Sequence, residues 1–329
     1  MNDVAARIFH RLSKAGDFLS GEVLCREFCI TRSAVWKHIQ LLRNEGYRVE
    51  ALTGRGYRLT SLTGRPVEAE VAPFLTVRRF GRSILYHEVT ASTNMLAKSL
   101  ASDGLQEGCV VVADAQTGGR GRMGRTWVSP SGVNLYFSLI LRPGVPSIRV
   151  PQLTLLVAAA IHQALNSVVP GIAPLVKWPN DILINGRKVC GVLCEMQSES
   201  DFTNFVVVGI GINVNQSEIP PELQDRATSL YLETGRLVSR PELLASFLNY
   251  FEPLYDAWLL EEDLGFILPY LERYSLLQSK QVTIDQLKRT VSGTVSGIAR
   301  GGELMLDGAD GKTILISSGE AHLKKKNIN

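Results

Sequence analysis

With 329 residues, 45% of them hydrophobic and 20% charged, the chain is long enough for two or three domains and has the make-up of an ordinary globular protein. Its longest apolar stretch, 153–161, is interrupted by His162 and Gln163, well short of the roughly 20 residues that span a bilayer. The N-terminus also lacks the basic and apolar segments of a signal peptide, so a cytoplasmic protein without membrane association is expected. Residues 1–65 carry eleven Lys/Arg against six Asp/Glu and the remainder 24 against 26, so the basic surplus points to an acidic partner at the N-terminal end.

Ile8, Phe9 and Leu12 recur on one face of a first helix that stops near Gly16. Ser20 suits the cap of a second helix opening at Gly21, and Cys29-Ile30 turns the chain toward Thr31, a good N-cap for a third. There Val35, Ile39 and Leu42 fall at i, i+4 and i+7 as a buried stripe, leaving Arg32, Ser33, Trp36, Lys37 and Gln40 on the outer face. Gly46 ends the helix, and 47–51 and 57–59 flank Thr53-Gly54-Arg55-Gly56, a two-stranded wing with Arg55 at its tip. A generic bundle with a solvated basic face would share the third helix. Three helices and a wing in this order, with the charge surplus, favour a winged helix-turn-helix with Gly21, Thr31, Arg32, Ser33, Trp36, Lys37, Gln40 and Arg55 as candidate DNA contacts. Such units usually act as dimers on two half-sites, so a homodimer is expected. Arg65-Pro66 and the mixed stretch up to Pro73 read as a linker.

Ser92-Thr93-Asn94 precede an amphipathic helix and, taken alone, read as its cap. A buried strand at 110–113 leads through Asp114 and Gln116 into Gly119-Arg120-Gly121-Arg122-Met123-Gly124-Arg125, where glycine backbone lets a ligand come close and three guanidinium groups can pair with carboxylate or phosphate. The run spells G-x-G-x-x-G, but Trp127, Ser129, Pro130 and a strand at 133–141 follow it. It joins strand to strand, with no helix N-terminus to face a pyrophosphate, so the dinucleotide reading fails. A long helix at 153–168 and a strand at 175–178 come next, and Asn185-Gly186 marks a type I′ hairpin between 182–184 and 189–193. Phe205 opens a last strand carrying Gly209-Ile210-Gly211, and with three helices expected this region is α+β with a mixed or antiparallel sheet. Lys177 inside an apolar strand reads alone as a snorkelling edge residue; with the arginines it suits a reaction between two anions. Cys25, Cys29, Cys109, Cys190 and Cys194 lack C-x-x-C spacing and read as small buried side chains in a reducing compartment, so no metal site is assigned. Short strands at 281–284, 290–298, 303–307 and 312–316 end the chain, and Lys324-Lys325-Lys326 read as a solvated tail.

Ser92-Thr93-Asn94, Gln116, GRGRMGR at 119–125 and KWPND at 177–181 closely resemble the biotin protein ligases, in the two-function bacterial form that puts a winged helix-turn-helix before the ligase. The resemblance implies a winged helix at 1–65, a ligase domain at 66–275 and a small SH3-like barrel at 276–329. It implies that ATP and biotin, with Mg2+, give biotinyl-5′-adenylate, and that a lysine of the biotin carboxyl carrier protein of acetyl-CoA carboxylase then takes the biotin. It also implies repression of biotin synthesis genes through operator DNA, with the adenylate promoting the homodimer. By the same likeness Lys177 is the main catalytic cation and Arg122 acts beside it, while Ser92, Thr93, Asn94, Gln116, Arg120, Gly121, Arg122 and Lys177 hold biotin. Gly119, Arg125, Trp127, Asn180, Asn213 and Lys324 are expected near the adenylate, although the family sometimes has arginine where Lys324 stands. A ligand-sensing repressor without turnover and a lipoate ligase are the competing readings.

Overall fold

The structure, a computed structural model, describes residues 3–199, 202–286, 289–308 and 310–324, so Lys325 and Lys326 of the expected tail lie outside the described residues. The chain forms two compact units, Met1–Pro73 and Phe74–Asn329.

The first unit runs α1 (Asp3–Ala15), α2 (Gly21–Phe28), α3 (Arg32–Asn44), β1 (Arg48–Leu52), β2 (Gly56–Ser61) and α4 (Glu68–Val71). Both expected caps form: Ser20 Oγ accepts from Val23 N at 3.1 Å and Thr31 Oγ1 from Ala34 N at 3.2 Å. Ile8, Phe9 and Leu12 pack with Val35, Ile39 and Leu42 in one buried core. β1 and β2 pair antiparallel, and Leu19 exchanges two backbone hydrogen bonds of 2.8 Å with Tyr57, tying the wing to the α1–α2 connection. Gly56 makes that approach possible. Its φ is 107°, and a Cβ there would lie 1.9 Å from the Leu19 carbonyl oxygen. Gly56→Ala is therefore expected to detach the wing and destabilise this unit by about 2–3 kcal/mol, read as a lower melting transition; an unchanged melt would refute the docking role.

Two expectations change here. The stretch read as a linker carries α4, whose Ala69 packs on the core and whose buried Glu70 accepts from Thr63 N and Gly64 N at 3.0 Å and from the Thr63 hydroxyl. A carboxylate with that many donors holds the chain after the wing onto the unit, which local composition could not show. Cys29 is exposed in a left-handed conformation (φ 54°) at the α2 C-cap, whereas Cys109 and Cys190 are buried as expected. Among the described residues no group of three or more His, Cys, Asp or Glu could hold a metal ion.

The second unit runs β3 (Ile84–Thr90), α5 (Thr93–Ser102), β4 (Val110–Gln116), β5 (Leu135–Leu141), α6 (Gln152–Val168), β6 (Leu175–Lys177), β7 (Asp181–Ile184), β8 (Arg187–Glu199), β9 (Phe202–Ile212), α7 (Leu230–Thr234), α8 (Arg240–Glu261) and α9 (Leu268–Arg273). The strands form one sheet ordered β3-β4-β5-β9-β8-β7-β6, in which β3 and β4 are parallel and the other neighbours antiparallel. It is the mixed sheet of an α+β unit. Asn185 and Gly186 both have positive φ, as the β7–β8 hairpin requires. Ala97 and Ala101 of α5 pack on Val111, Ile140 and Phe205. The segment Ser147–Val168 is long and apolar enough to cross a membrane, yet 72% of its apolar window is buried inside the unit, where α6 packs with α8.

Among the described residues this unit has five α-helices rather than three. The 22-residue α8 carries Pro253 in its interior, a breaker signal, while its buried Leu244, Leu248, Phe251, Tyr255 and Trp258 fall at i, i+4, i+7, i+11 and i+14. The chain ends in a five-stranded antiparallel sheet ordered β13-β12-β11-β10-β14, built from β10 (Gln281–Asp285), β11 (Thr290–Ile298), β12 (Leu304–Asp307), β13 (Thr313–Ile316) and β14 (Glu320–Leu323). This is the small SH3-like domain, with β14 added to the expected strands.

Candidate active site

The glycine-arginine loop connects β4 to β5, strand to strand. It folds on itself: Gly121 N donates to Arg125 O at 2.7 Å and Trp127 N to Gly119 O at 2.9 Å. Beneath and beside it lie two adjoining cavities of about 50 and 270 Å³ that share Gly121, Arg122, Trp127, Asn180 and Lys188. They are two lobes of one cleft.

The smaller lobe is polar at one end and flat on its floor. Ser92 makes no side-chain cap; Thr93 N donates instead to Gln116 Oε1 at 2.9 Å, and Gln116 Nε2 donates to Ser129 Oγ at 3.0 Å. Asn94 Nδ2 donates to Glu195 Oε2 at 2.8 Å, and buried Ser138 Oγ lies 2.8 Å from Thr93 Oγ1 and 2.6 Å from Asn94 Oδ1. Thr93 and Asn94 are thus held in a hydrogen-bonded polar wall, while Ser92 stands at the N-cap position of α5 without a side-chain cap. Gly191, Gly209 and Gly211 supply the floor. A Cβ at Gly209 would lie 2.0 Å from Asn94 Oδ1, and one at Gly211 2.5 Å from Trp127 Cε2. Only bare backbone admits the Asn94 amide and the indole.

The larger lobe concentrates charge. Lys188 Nζ lies 2.6 Å from Asp181 Oδ1 and 5.2 Å from the Trp127 ring centre, so the ammonium sits where the lobes meet. Arg122 Nη1 donates to Asn180 Oδ1 at 2.9 Å, and Asn180 Nδ2 donates to Val192 O at 2.9 Å. Arg125 forms a fork with Glu320 of β14, one arm 3.0 Å long. The Arg125 hydrogen bond holds the Glu320 carboxyl below its ordinary pKa; burial opposes this, and the charges of Arg125, His322 and Lys177 add to it. The peptide between Trp178 and Pro179 is cis, and Trp178 Nε1 donates to Gly302 O at 3.0 Å.

Ser92, Thr93, Asn94, Gln116 and Arg120 line the smaller lobe, Arg125, Lys177 and Asn213 the larger, and Gly121, Arg122, Trp127 and Asn180 both. Gly119 and Lys324 line neither; Lys324 is exposed beyond β14, its N–H donating to Gln281 O. Lys177, expected to bridge carboxylate and α-phosphate, lines the larger lobe alone. The cation common to both lobes that sequence reading missed is Lys188. The Asn185-Gly186 turn was a signal that the chain returns along β7. A register shift between Ile182 and Leu183, however, hid which side chains of β8 face the cleft.

In the first unit Arg32, Ser33, Trp36 and Lys37 are exposed on one side of α3, and Gln40 is half-buried. Gly21 lies near Tyr57, a Cβ there falling 3.7 Å from its ring, and the Thr31 hydroxyl caps the helix. Arg55 pairs with Asp17 at 3.3 Å and lies over the Phe18 ring at 4.8 Å.

Fold and site together define a winged-helix protein joined to a ligase-type unit whose cations face one two-lobed cleft. Residues 86–213 match the Biotin/lipoate A/B protein ligase family, 5–58 an HTH domain and 280–324 the Biotin protein ligase C terminal domain. The chain is 42% identical over 304 residues to the bifunctional ligase/repressor BirA of Bacillus subtilis, covering 91% of this chain and 92% of that one. It is 30% identical over 296 residues to the bifunctional ligase/repressor BirA of Escherichia coli, covering 89% of each. The solved biotin protein ligase from Aquifex aeolicus in complex with biotin and ATP superposes with a TM-score of 0.64 at 32% identity, covering 74% of this chain and 99% of that one. The chain belongs to the biotin protein ligase family, among its bifunctional ligase/repressors.

Proposed function

We propose that this chain joins biotin to AMP and transfers it to a lysine of the biotin carboxyl carrier protein, and that its first unit represses biotin synthesis genes at operator DNA. The meeting of two lobes at Arg122, Asn180 and Lys188 carries the reading. The flat, polar-ended smaller lobe fits the fused rings of biotin; the larger takes the nucleotide. A carboxylate oxygen of biotin attacks the α-phosphorus, and pyrophosphate leaves. Both reactants are anions, so preorganised cations at the junction lower the barrier by offsetting repulsion and developing charge. The carrier amine then attacks the acyl carbonyl, AMP leaves, and the nitrogen gives up a proton. Magnesium is expected on the triphosphate; the lobe's carboxylates Asp181 and Glu320 are engaged by Lys188 and Arg125, and we assign it no protein ligands. DNA binding belongs to 1–65, activation to 66–275, and 276–329 contributes Glu320 to the wall of the larger lobe. In a cell this places the protein in the cytoplasm.

Purified protein mixed with ATP and either biotin or lipoate tests the reading: pyrophosphate should be released with biotin alone. Release with lipoate would favour a lipoate ligase, and adenylate-dependent DNA binding without turnover a pure sensor.

Arg122 is anchored through Asn180, and the loop around it must hold the reactive anhydride until the carrier arrives. Arg122→Gly is expected to release adenylate, seen as biotin on bystander proteins; strictly carrier-only labelling would argue against retention. Ordering of the loop around the adenylate also offers a route to a homodimer, with carrier protein competing by discharging the ligand. Sedimentation and operator gel shifts should both respond to adenylate, and operator affinity should fall with salt as Arg32 and Lys37 release counterions. Equal operator affinity with and without adenylate would remove the coupling.

A further inference from the structure

We propose that Trp36 reads thymine methyl groups in the major groove of the operator, which rests on the DNA-binding role given above. Trp36 is 54% exposed in the middle of the outer face of α3, one turn from Arg32 and Ser33 on one side and Gln40 on the other, with Lys37 adjacent. The opposite face, Val35, Ile39 and Leu42, is sealed in the core. Among the described residues the indole has no ring contact, no cation–π partner and no hydrogen bond. It is a free apolar plane set among cations. The other candidates are partly engaged: Arg55 with Asp17 and Phe18, Thr31 as the cap of α3.

The flanking charges select the class of partner. A surface that surrounds an exposed aromatic with Arg32 and Lys37 complements a polyanion better than a protein face. On duplex DNA the cations meet phosphates, which orients the helix without reading sequence. An uncharged indole at the centre of that helix needs an apolar complement, and in the major groove that is the C5 methyl of thymine. Trp36 thereby discriminates thymine from cytosine at the position it covers, while Lys37 and Arg32 set the salt dependence.

The test uses the full chain with biotin and ATP. A binding site is first enriched from random duplexes, and its thymines are then replaced singly by deoxyuridine, which removes only the methyl group. Wild type should lose about fourfold in affinity for each methyl the indole covers. Trp36→Ala should bind more weakly, be indifferent to deoxyuridine at those positions and keep the wild-type salt slope, since a neutral ring releases no counterions. Lys37→Ala should reduce the slope and keep the deoxyuridine penalty. Trp36→Phe, which keeps an apolar ring, should retain part of the penalty and keeps the test decisive if the alanine variant melts. Wild-type indifference to deoxyuridine at every position, or an unchanged penalty in Trp36→Ala, overturns the proposal. Enrichment of no duplex overturns the DNA-binding reading beneath it, and capture of a protein on this face without DNA assigns Trp36 to a protein interface instead.

Discussion

Lys188→Ala is expected to slow pyrophosphate release from biotin and ATP by about 10²–10³-fold, the cost of removing one preorganised electrostatic stabiliser. Lys177→Ala, by contrast, is expected to cost less than about tenfold. The difference is positional: Lys188 lines both lobes, whereas Lys177 lines the larger alone. The Lys188 ammonium rests against Asp181, a contact that keeps it oriented. Single-turnover measurement of adenylate formation with each variant at saturating substrates distinguishes the two lysines. A hundredfold loss confined to Lys177→Ala would return the central cation to the KWPND strand.

Arg240→Ala is expected to destabilise the second unit by about 3–5 kcal/mol, measured by urea or thermal unfolding. Arg240 and Asp114 have side chains only 6% and 7% exposed, and Arg240 Nη1 donates to Asp114 Oδ1 at 2.9 Å and to Asn134 O at 3.1 Å. Truncation leaves a buried carboxylate without its cation, where removal of both charges would cost much less. Burial pushes the Asp114 carboxyl up, but hydrogen bonds from Ser131 and Arg240, the Arg240 charge and the Gly132 N–H outweigh it and leave the pKa below its ordinary value. A depressed carboxylate stabilises the fold fully above its unfolded pKa and loses that contribution as pH falls through the folded one. The wild type should therefore lose stability below about pH 4, and Asp114→Asn in combination with Arg240→Ala should recover part of the loss and flatten that acid limb. A double variant as unstable as the sum of the Asp114→Asn and Arg240→Ala losses would show that the pair is not coupled. Asp114 enters the glycine-arginine loop and Ser131 and Asn134 leave it, so the same pair closes the base of the loop over the cleft.

Local pattern carried far in the first unit. Val35, Ile39 and Leu42 at helical spacing and the caps Ser20 and Thr31 are short-range features, and each forms as its own neighbours dictate. The Asn185-Gly186 hairpin and the loop from 119 to 125 are legible for the same reason, since a turn is chosen by the φ its residues tolerate. Pattern failed where partners are distant or the period is broken. Glu70 reaches back to Thr63 and Gly64 in a stretch whose composition resembles a linker. Helix α8 carries Pro253 in its interior, a local breaker, although its buried Leu244, Leu248, Phe251, Tyr255 and Trp258 recur at helical spacing.

By itself the sequence determined the element types with strong local periodicity, the asymmetry of charge and the two motifs that mark the cleft, because these depend on residues within a few positions of one another. The tertiary structure decided that Lys188 joins Arg122 where the lobes meet. Lys188 comes from β8 across a register shift in β7–β8, and the fork between Arg125 and Glu320 spans 195 positions of chain. Parity along a strand is lost at a bulge, and pairing across such a distance is set by how the sheets pack rather than by any local preference.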